Sequence, residues 1–327
     1  FLGWNTEQNG TGTTVNDGDI YTTVGNQTLY AQWKANVYEI KLDGQGAENP
    51  GTTVYYEKYD TGNFTSSTCS TGISAITVPT KTGYTFGGYY TDRGGQGTQY
   101  VDASGNILST KTTFTANMTL YAKWTANTYT VKFNANGGTG DMADMTVTYD
   151  TTVKLSSNLF ERTGYSFAGW ATDQNGAAVY VDKQSITNLS TVNGAEINLY
   201  AVWDINSYEV TYDYWTNGGS RAENDKENVN YNAAIDLSVS AEKGDGFTFV
   251  GWNTDASATT GLTSVTMGTE NVTLYAIFEK TITLQLIEMT ENGSVATTLS
   301  ETIFNNTECV DFKVSRSESY PGWTHIG

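Results

Sequence analysis

Short stretches of the sequence alternate apolar and polar residues with a period of two. In YTVKF (129–133) three apolar residues alternate with Thr130 and Lys132, the pattern of a strand with one buried face. The segment NANGG follows, and Asn and Gly tolerate the positive φ angles of tight turns. We therefore expect a second strand, MTVTYD at 145–150, to pair back on the first.

Three sequence motifs recur in the same order along the whole chain, which is typical of a tandem-repeat protein. The first is a strand followed by a Gly-rich turn: NVYEIKLDGQG, NTYTVKFNANGG, NSYEVTYDYWTNGG and KTITLQLIEMTENG. The second combines Gly with aromatic residues: FLGWNT (1–6), GYTFGGYYTD (83–92), GYSFAGWATD (164–173) and GFTFVGWNTD (246–255). The third is LYAQW (29–33), LYAKW (120–124), LYAVW (199–203) and LYAIF (274–278).

Alternation within the third motif predicts the core of each repeat. Its Leu, Ala and Trp side chains share one face, and its Tyr points to the other. The Gly that precedes Trp170 is expected to let a segment of backbone pass close to the bulky ring. Large rings from two strands would then fill most of a small core. The predicted core residues are Trp4, Trp33, Trp124, Trp170, Trp203, Trp252, Leu120, Leu199 and Leu274.

The three motifs together, Y-x-V-x-F with N-x-G-G, then T-G-Y-x-F-x-G-W-x-T-D, then L-Y-A-x-W, closely resemble the Listeria/Bacteroides repeat, also called the internalin B-repeat family. The resemblance covers the whole chain. It implies extracellular bacterial surface modules with a compact, β-grasp-like α+β fold. The second repeat departs from the pattern, since it carries an insertion at 57–75 and has Tyr89 where other repeats have Trp.

The positions of the motifs predict the boundaries of the modules. We expect about four repeats in a rod, with a half-module at each end of the chain. The predicted units are a C-terminal half-repeat at 1–35, a repeat with the insertion at 36–126, repeats at 127–205 and 206–279, and an N-terminal half-repeat at 280–327.

Composition and charge narrow the classes of function. The 34 Gly and 22 Tyr residues, against only 3 Pro, favour a β-rich protein. The 17 basic residues are outnumbered by 35 acidic ones, for a net charge of −18, and no basic cluster exists that would neutralise phosphates or anionic lipids. No run of eighteen apolar residues is present. We therefore predict no nucleic-acid partner and no membrane insertion within this segment.

The sequence offers no recognisable catalytic or metal-binding motif. Its single histidine, His325, occupies a position that Phe fills in other repeats. Motifs for serine hydrolases, nucleotide binding and zinc proteases are absent. The acidic segments at 91–97 and 172–182 lack the spacing of a calcium loop. We predict a protein that is not an enzyme and that needs no metal and no cofactor.

The two cysteines are far apart in an array of small modules. Cys69 and Cys309 belong to different repeats and should lie tens of ångströms apart, whereas a disulfide needs Cα atoms within about 7 Å. Two free thiols are one interpretation. A bridge between molecules, with Cys69 and Cys309 as the candidate thiols, is the other.

The two ends of the chain fall at the same phase of the repeat. FLGW aligns with FAGW (167–170), and GWTHIG (322–327) aligns with GYSFAG. One explanation is a window on a longer array, and another is domain swapping or an artefact of preparation. The third is head-to-tail completion of half-modules by strand addition, which would propagate as a filament. The candidate subunit interface is Phe1, Leu2, Trp4, Ile282, Leu284, Leu286 and Trp323.

The predicted function is mechanical. We expect a rod of β-rich modules at the cell surface or outside the cell, as an adhesin stalk or as a filament subunit that associates head to tail. The alternative is a module that binds a cell-wall or surface glycan, or a host protein. Such a ligand would be held by the insertion at 57–75 or by the loops after each TD.

Overall fold

The computed structural model describes residues 1–108, 114–290, 293–307 and 310–314. Within these residues the chain forms strands joined by turns, in this order: β1 Gly3–Asn5, β2 Thr14–Val15, β3 Tyr30–Gln32, β4 Val37–Asp43, β5 Val54–Lys58, β6 Gly62–Phe64, β7 Tyr84–Asp92, β8 Gln96–Val101, β9 Met118–Ala126, β10 Thr128–Asn134, β11 Met145–Thr148, β12 Val153–Lys154, β13 Tyr165–Ala171, β14 Ser185–Ile186, β15 Ala195–Ile205, β16 Ser207–Asp213, β17 Asp225–Asn230, β18 Thr248–Asn253, β19 Val272–Thr290 and β20 Gly293–Phe304.

The prediction of a β-rich protein is confirmed, but the α-helix implied by an α+β module is not observed among the described residues. The described residues contain no α-helix, and their single helical element is a 3-10 turn at Arg93–Gly95. The helix that an α+β, β-grasp-like module would carry therefore has no counterpart among them. Gly-rich and Asn-rich turns separate the short alternating segments and leave no stretch with helical periodicity.

The chain divides into two compact units. The first comprises residues 1–133, 143–157 and 182–199, and the second comprises residues 134–142, 158–181 and 200–327.

The first unit contains a three-stranded sheet and a six-stranded sheet. The small sheet has the order β2–β1–β3, and the larger one has the order β6–β5–β4–β9–β7–β8. Only β4 and β9 run parallel in these two sheets, with Leu42 opposite Leu120. The larger sheet and the segments next to it form a core of Ile40, Leu42, Tyr55, Ile76, Phe86, Tyr89, Val101, Ile107, Phe114, Leu120 and Ala122.

The expected hairpin of the third repeat is present in the first unit. Strand β11 pairs antiparallel with β10, and Tyr129 lies opposite Val147. Both side chains are about 1% exposed, as the period-two pattern predicts. A shorter pair, β12 with β14, follows.

The second unit contains a sheet with the order β17–β16–β19–β18, which β20 extends by pairing with β19. Strands β16 and β19 run parallel, with Tyr212 opposite Leu274, as β4 and β9 do in the first unit. The core of this sheet comprises Val210, Tyr212, Tyr214, Ile235, Ala241, Trp252, Met267, Leu274, Ala276 and Phe278.

Strands β13 and β15 pair antiparallel in the second unit, with an irregularity between Phe167 and Gly169. Gly169 has a φ of 145°, and a Cβ atom there would lie 2.6 Å from the carbonyl oxygen of Tyr180. The Trp170 N–H donates to that same oxygen over 2.8 Å. The close backbone approach predicted beside Trp170 is therefore confirmed.

A linker asparagine separates consecutive repeats. Strand β9 ends just before Asn127 and β15 just before Asn206, and a new strand begins after each. The Asn127 and Asn206 N–H groups donate to Gly83 O and Gly164 O, both over 2.9 Å, which turns the chain. The last linker, FEKTITL, lacks this asparagine. There β19 passes without a break through the boundary predicted at 279, and β20 folds back on it.

Candidate functional site

Two asparagine side chains tie the Gly-rich turns to the rest of their sheets. Asn136 Nδ2 donates to Gln174 O and Ala201 O, both over 2.9 Å. In the next repeat, Asn217 Nδ2 donates to Ala256 O over 3.0 Å and to Ala276 O over 2.9 Å. Each amide therefore joins the turn, the LYA strand and the loop after TD. Sequence reasoning treated these asparagines only as turn residues, although their recurrence before Gly-Gly was the available signal.

The junction between the second and third repeats places a tyrosine on a glycine. A Cβ atom at Gly83 would lie 2.2 Å from the Tyr149 ring, so only glycine fits there. The Tyr84 and Tyr149 rings meet edge to face with centroids 5.8 Å apart, and the Tyr149 N–H donates to Asn127 O over 2.8 Å.

The junction between the third and fourth repeats has the same construction. A Cβ atom at Gly164 would lie 2.1 Å from the Tyr231 ring. The Tyr165 and Tyr231 rings meet edge to face with centroids 6.2 Å apart, and the Tyr231 N–H donates to Asn206 O over 2.9 Å. Sequence reasoning missed both contacts, because each joins residues more than sixty positions apart.

Hydrogen bonds reinforce the first of these junctions. Tyr84 Oη donates to Asp150 over 2.8 Å, and Asn188 Nδ2 donates to the other carboxylate oxygen over 2.8 Å. The bonds from Asn188 and Tyr84 hold the pKa of the Asp150 carboxyl below its usual range. The same bond to Asp150 raises the pKa of Tyr84.

The predicted core residues differ widely in burial. Trp170, Trp252 and three leucines are fully buried: Leu120, Leu199 and Leu274. Trp124 and Trp203 are half-buried. Their indole N–H groups donate to Gly44 O and Ala135 O, both over 2.9 Å.

Trp4 and Trp33 are the most exposed of the predicted core tryptophans. Trp4 is 38% exposed and Trp33 is 73% exposed, unlike the core positions predicted for them. Both contact the Phe1 ring, with centroids 5.4 and 5.2 Å away. Among the described residues, β3 pairs only with β1.

The remaining candidate interface residues and thiols are only partly described. Leu2 is exposed. Ile282, Leu284 and Leu286 on β19 are half-buried. Cys69 is a half-buried free thiol in a turn. Trp323, His325 and Cys309 lie outside the described residues.

The insertion of the second repeat begins at a buried carboxylate. Glu57 on β5 is 1% exposed, and it lies opposite Tyr38 of β4 and Asn63 of β6. Burial raises the pKa of Glu57 to about 7, and a hydrogen bond from the Phe114 N–H opposes the shift. Its Oε1 has no hydrogen-bond partner among the described residues. Residues 57 and 58 of the predicted ligand loop therefore belong to β5, which lies between β6 and β4 in the sheet.

A cleft of about 320 Å³ opens on the third repeat. We call it the Trp203 groove. The Arg162 guanidinium stacks 3.9 Å from the Tyr165 ring centroid, and Phe167 meets Trp203 edge to face at 5.7 Å. The groove is lined by Thr139, Phe160, Glu161, Arg162, Thr163, Tyr165, Phe167 and Trp203.

The described residues contain no group of three or more His, Cys, Asp or Glu side chains placed to hold a metal ion. None of the described residues belongs to a helix that could span a lipid bilayer.

A model of the Listeria-Bacteroides repeat domain matches residues 1–32, 43–123, 129–202 and 208–277. The chain belongs to this family. The resemblance noted from the three motifs is thereby confirmed, across four matched segments.

Two proteins of Evansella cellulosilytica are similar to this member of the family. One, described as "Putative Gly-rich membrane protein", is 31% identical over 298 residues, which are 90% of this chain and 30% of the relative. The other, described as "Putative membrane protein", is 29% identical over 265 residues, which are 80% of this chain and 36% of the relative. The chain therefore spans about a third of the length of these relatives.

Proposed function

We propose that this chain is a structural segment of a bacterial surface protein, in which tandem modules hold a distal part of the molecule away from the cell. The family and the descriptions of the two relatives as membrane proteins support a place at the cell surface. In this proposal the segment catalyses no reaction and binds no cofactor.

The repeated Tyr-on-Gly junction is the observation that carries the proposal. Two successive junctions use the same parts: a Gly at positive φ, an aromatic residue after it, and a Tyr from the next repeat. A ring seated on a bare glycine backbone leaves little freedom for one repeat to move against the next. Modules joined in this way would add length in regular steps.

The acidic surface suits a segment exposed to solvent. A net charge of −18 keeps neighbouring molecules apart and soluble. Because the effect is electrostatic, it weakens as salt increases.

Small-angle X-ray scattering tests the extended array. One compact domain of this length would have a radius of gyration of about 20 Å. We expect a value well above that, with a scattering profile unchanged by moderate salt. A radius close to 20 Å would contradict the proposal. Antibody labelling of intact producing cells tests the location, and labelling that appears only after lysis would exclude the surface.

A head-to-tail filament is a second candidate, favoured by the exposed Phe1, Trp4 and Trp33 rings, which contact one another through Phe1. The β19–β20 hairpin has half-buried Ile282, Leu284 and Leu286 on its first strand, and a hairpin of this kind could cover these rings by strand addition. Electron microscopy and sedimentation velocity of the purified chain test this candidate. Fibres that Trp33→Ser abolishes would support it, and a monodisperse monomer at high concentration would refute it.

A further inference from the structure

The fourth repeat shows what covers one particular sheet edge. There the residue after β20, Asn305, pairs with Phe278 of β19: the Asn305 N–H donates to Phe278 O over 2.8 Å, and the Phe278 N–H donates to Asn305 Oδ1 over 3.1 Å. Phe278 is fully buried. This segment of the chain thus continues the sheet along an edge that β16 leaves uncovered.

In the part of the chain that the structure describes, no segment corresponding to Asn305 covers this edge in the third repeat. Trp203 of β15 lies opposite Phe167 of β13, just as Phe278 of β19 lies opposite Phe249 of β18. In both pairs the register shifts between that Phe and the Gly two residues later. Because the register is the same, the main-chain N–H and C=O of Trp203 face the side that Asn305 covers in the fourth repeat. Trp203 stays half-buried and borders the Trp203 groove.

A basic side chain lies beside this edge in both repeats: Lys243 in the fourth and Arg162 in the third. Lys243 follows Glu242, lies 4.1 Å from the Phe247 ring centroid, and donates to the main-chain carbonyl of Asn305. Arg162 follows Glu161 in the same motif and stacks on Tyr165. Its guanidinium can donate to the carbonyl of an incoming strand, as Lys243 does.

The third repeat also has main-chain carbonyl groups at the positions that accept from the Asn305 side chain in the fourth repeat. Asn305 Nδ2 donates to Ala256 O over 3.1 Å and to Ala258 O over 3.0 Å. Gln174 takes the place of Ala256, since each carbonyl also accepts from the asparagine of the Gly-rich turn. Two residues further on, Gly176 takes the place of Ala258.

We propose that the Trp203 groove binds an extended peptide strand that carries an asparagine, by addition to the edge of β15. The asparagine main chain pairs with Trp203, its amide donates to Gln174 O and Gly176 O, and Arg162 holds its carbonyl. Main-chain hydrogen bonds supply the affinity in this mode, and the side-chain subsites supply the choice of sequence. The site does not depend on the proposed stalk role.

A peptide is a better fit than a sugar because the fourth repeat already holds a peptide at the corresponding place. There the cation and the Ala carbonyl groups contact a polypeptide main chain and an Asn amide. A glycan bound to the aromatic rings would be a different ligand of the same groove, and the experiment separates the two.

The test uses the full chain and a fluorescein-labelled peptide with the sequence of residues 299–307, LSETIFNNT. Fluorescence anisotropy should report saturable binding. Arg162→Ala should weaken it about tenfold or more, the effect of losing one charge-assisted hydrogen bond. Lys243→Ala is the matched control, because it removes the corresponding cation where the chain's own segment already covers the edge, and it should not weaken binding.

The peptide itself carries a second control. Replacing the asparagine that corresponds to Asn305 by alanine should weaken binding about tenfold as well, since two hydrogen bonds are lost. Equal affinity for both peptides, no binding at millimolar peptide, or a loss with Lys243→Ala alone would overturn the proposal. So would glycan-array binding that Trp203→Ala abolishes while the peptide stays unbound. Unchanged near-ultraviolet circular dichroism would show that Arg162→Ala folds.

Discussion

Glu57 makes the second repeat less stable as the pH rises. The equivalent register positions, opposite Tyr129 and Tyr208, are held by Val147 and Val229, so a carboxyl group replaces an apolar side chain inside the sheet. Burial raises its pKa from 4.5 to about 7. A buried carboxyl group prefers its neutral form, and ionising it therefore costs folding free energy.

The size of this cost follows from the shift in pKa. Each pKa unit corresponds to about 1.4 kcal/mol, so a rise from 4.5 to about 7 amounts to about 3 kcal/mol. Because the folded-state pKa lies above the unfolded-state value, the stabilising contribution of the protonated group is complete below pH 4.5 and is lost as the pH rises through 7. Glu57→Gln should thus stabilise the repeat by about 3 kcal/mol at pH 8 and by little at pH 4.

Hydrogen exchange followed by mass spectrometry, in increasing urea, measures this effect repeat by repeat. Peptides from β4 and β5 report on the second repeat, and peptides from β16 and β17 in the fourth repeat serve as an internal reference. Glu39→Gln is the control variant, since the Glu39 carboxylate is 35% exposed and pairs with Lys41 over 3.5 Å.

Two results would refute the reasoning. One is a Glu57→Gln gain that is equal at pH 4 and pH 8, which would mean that packing rather than charge limits stability. The other is destabilisation at pH 8, which would mean that the carboxylate is paired and well solvated in the folded protein.

The other predictions concern the junction, the turn and the core. Gly164→Ala should destabilise the junction between the third and fourth repeats by about 2 kcal/mol or more, because its Cβ would meet the Tyr231 ring. Gly194→Ala is the control, since Gly194 also has a positive φ but has open space around it. Calorimetry should show a smaller loss of stability for that control. Asn217→Ala should lower the free energy of unfolding by about 2 kcal/mol, because two hydrogen bonds are lost. Urea unfolding measures this, and an unchanged midpoint would refute the role of the amide. Trp170→Ala should cost about 3–5 kcal/mol, whereas Trp33→Ala should barely move the melting curve of the monomer.

The local sequence pattern was enough to predict the strands and the tandem repeat. Alternation in YTVKF and MTVTYD, with NANGG nearby, is sufficient to predict the β10–β11 hairpin, because strand periodicity and turn chemistry act over a few residues. The Gly before Trp170 was likewise predictable from its neighbours. Family membership followed from three motifs in a fixed order.

Other features depend on contacts between distant residues. Nothing in EKYD (57–60) indicates that Glu57 is buried, since β6 pairs beside it and the Phe114 N–H donates to it only in the folded chain. The two half-buried tryptophans and the exposed Trp33 share one motif, and only their neighbours distinguish them. The missing linker asparagine was visible in FEKTITL, but its effect, an unbroken β19, appears only in the sheet.

The sequence by itself determined that this protein is a tandem array of short-stranded β modules of the Listeria-Bacteroides repeat family. The tertiary structure alone decided which residues matter at the junctions, where Gly83 and Gly164 each contact a tyrosine ring. It also decided that, among the described residues, no segment corresponding to Asn305 covers the sheet edge at Trp203. The physical reason is range: alternation and turn propensity are local, whereas packing, burial and edge pairing arise only when segments many residues apart come together.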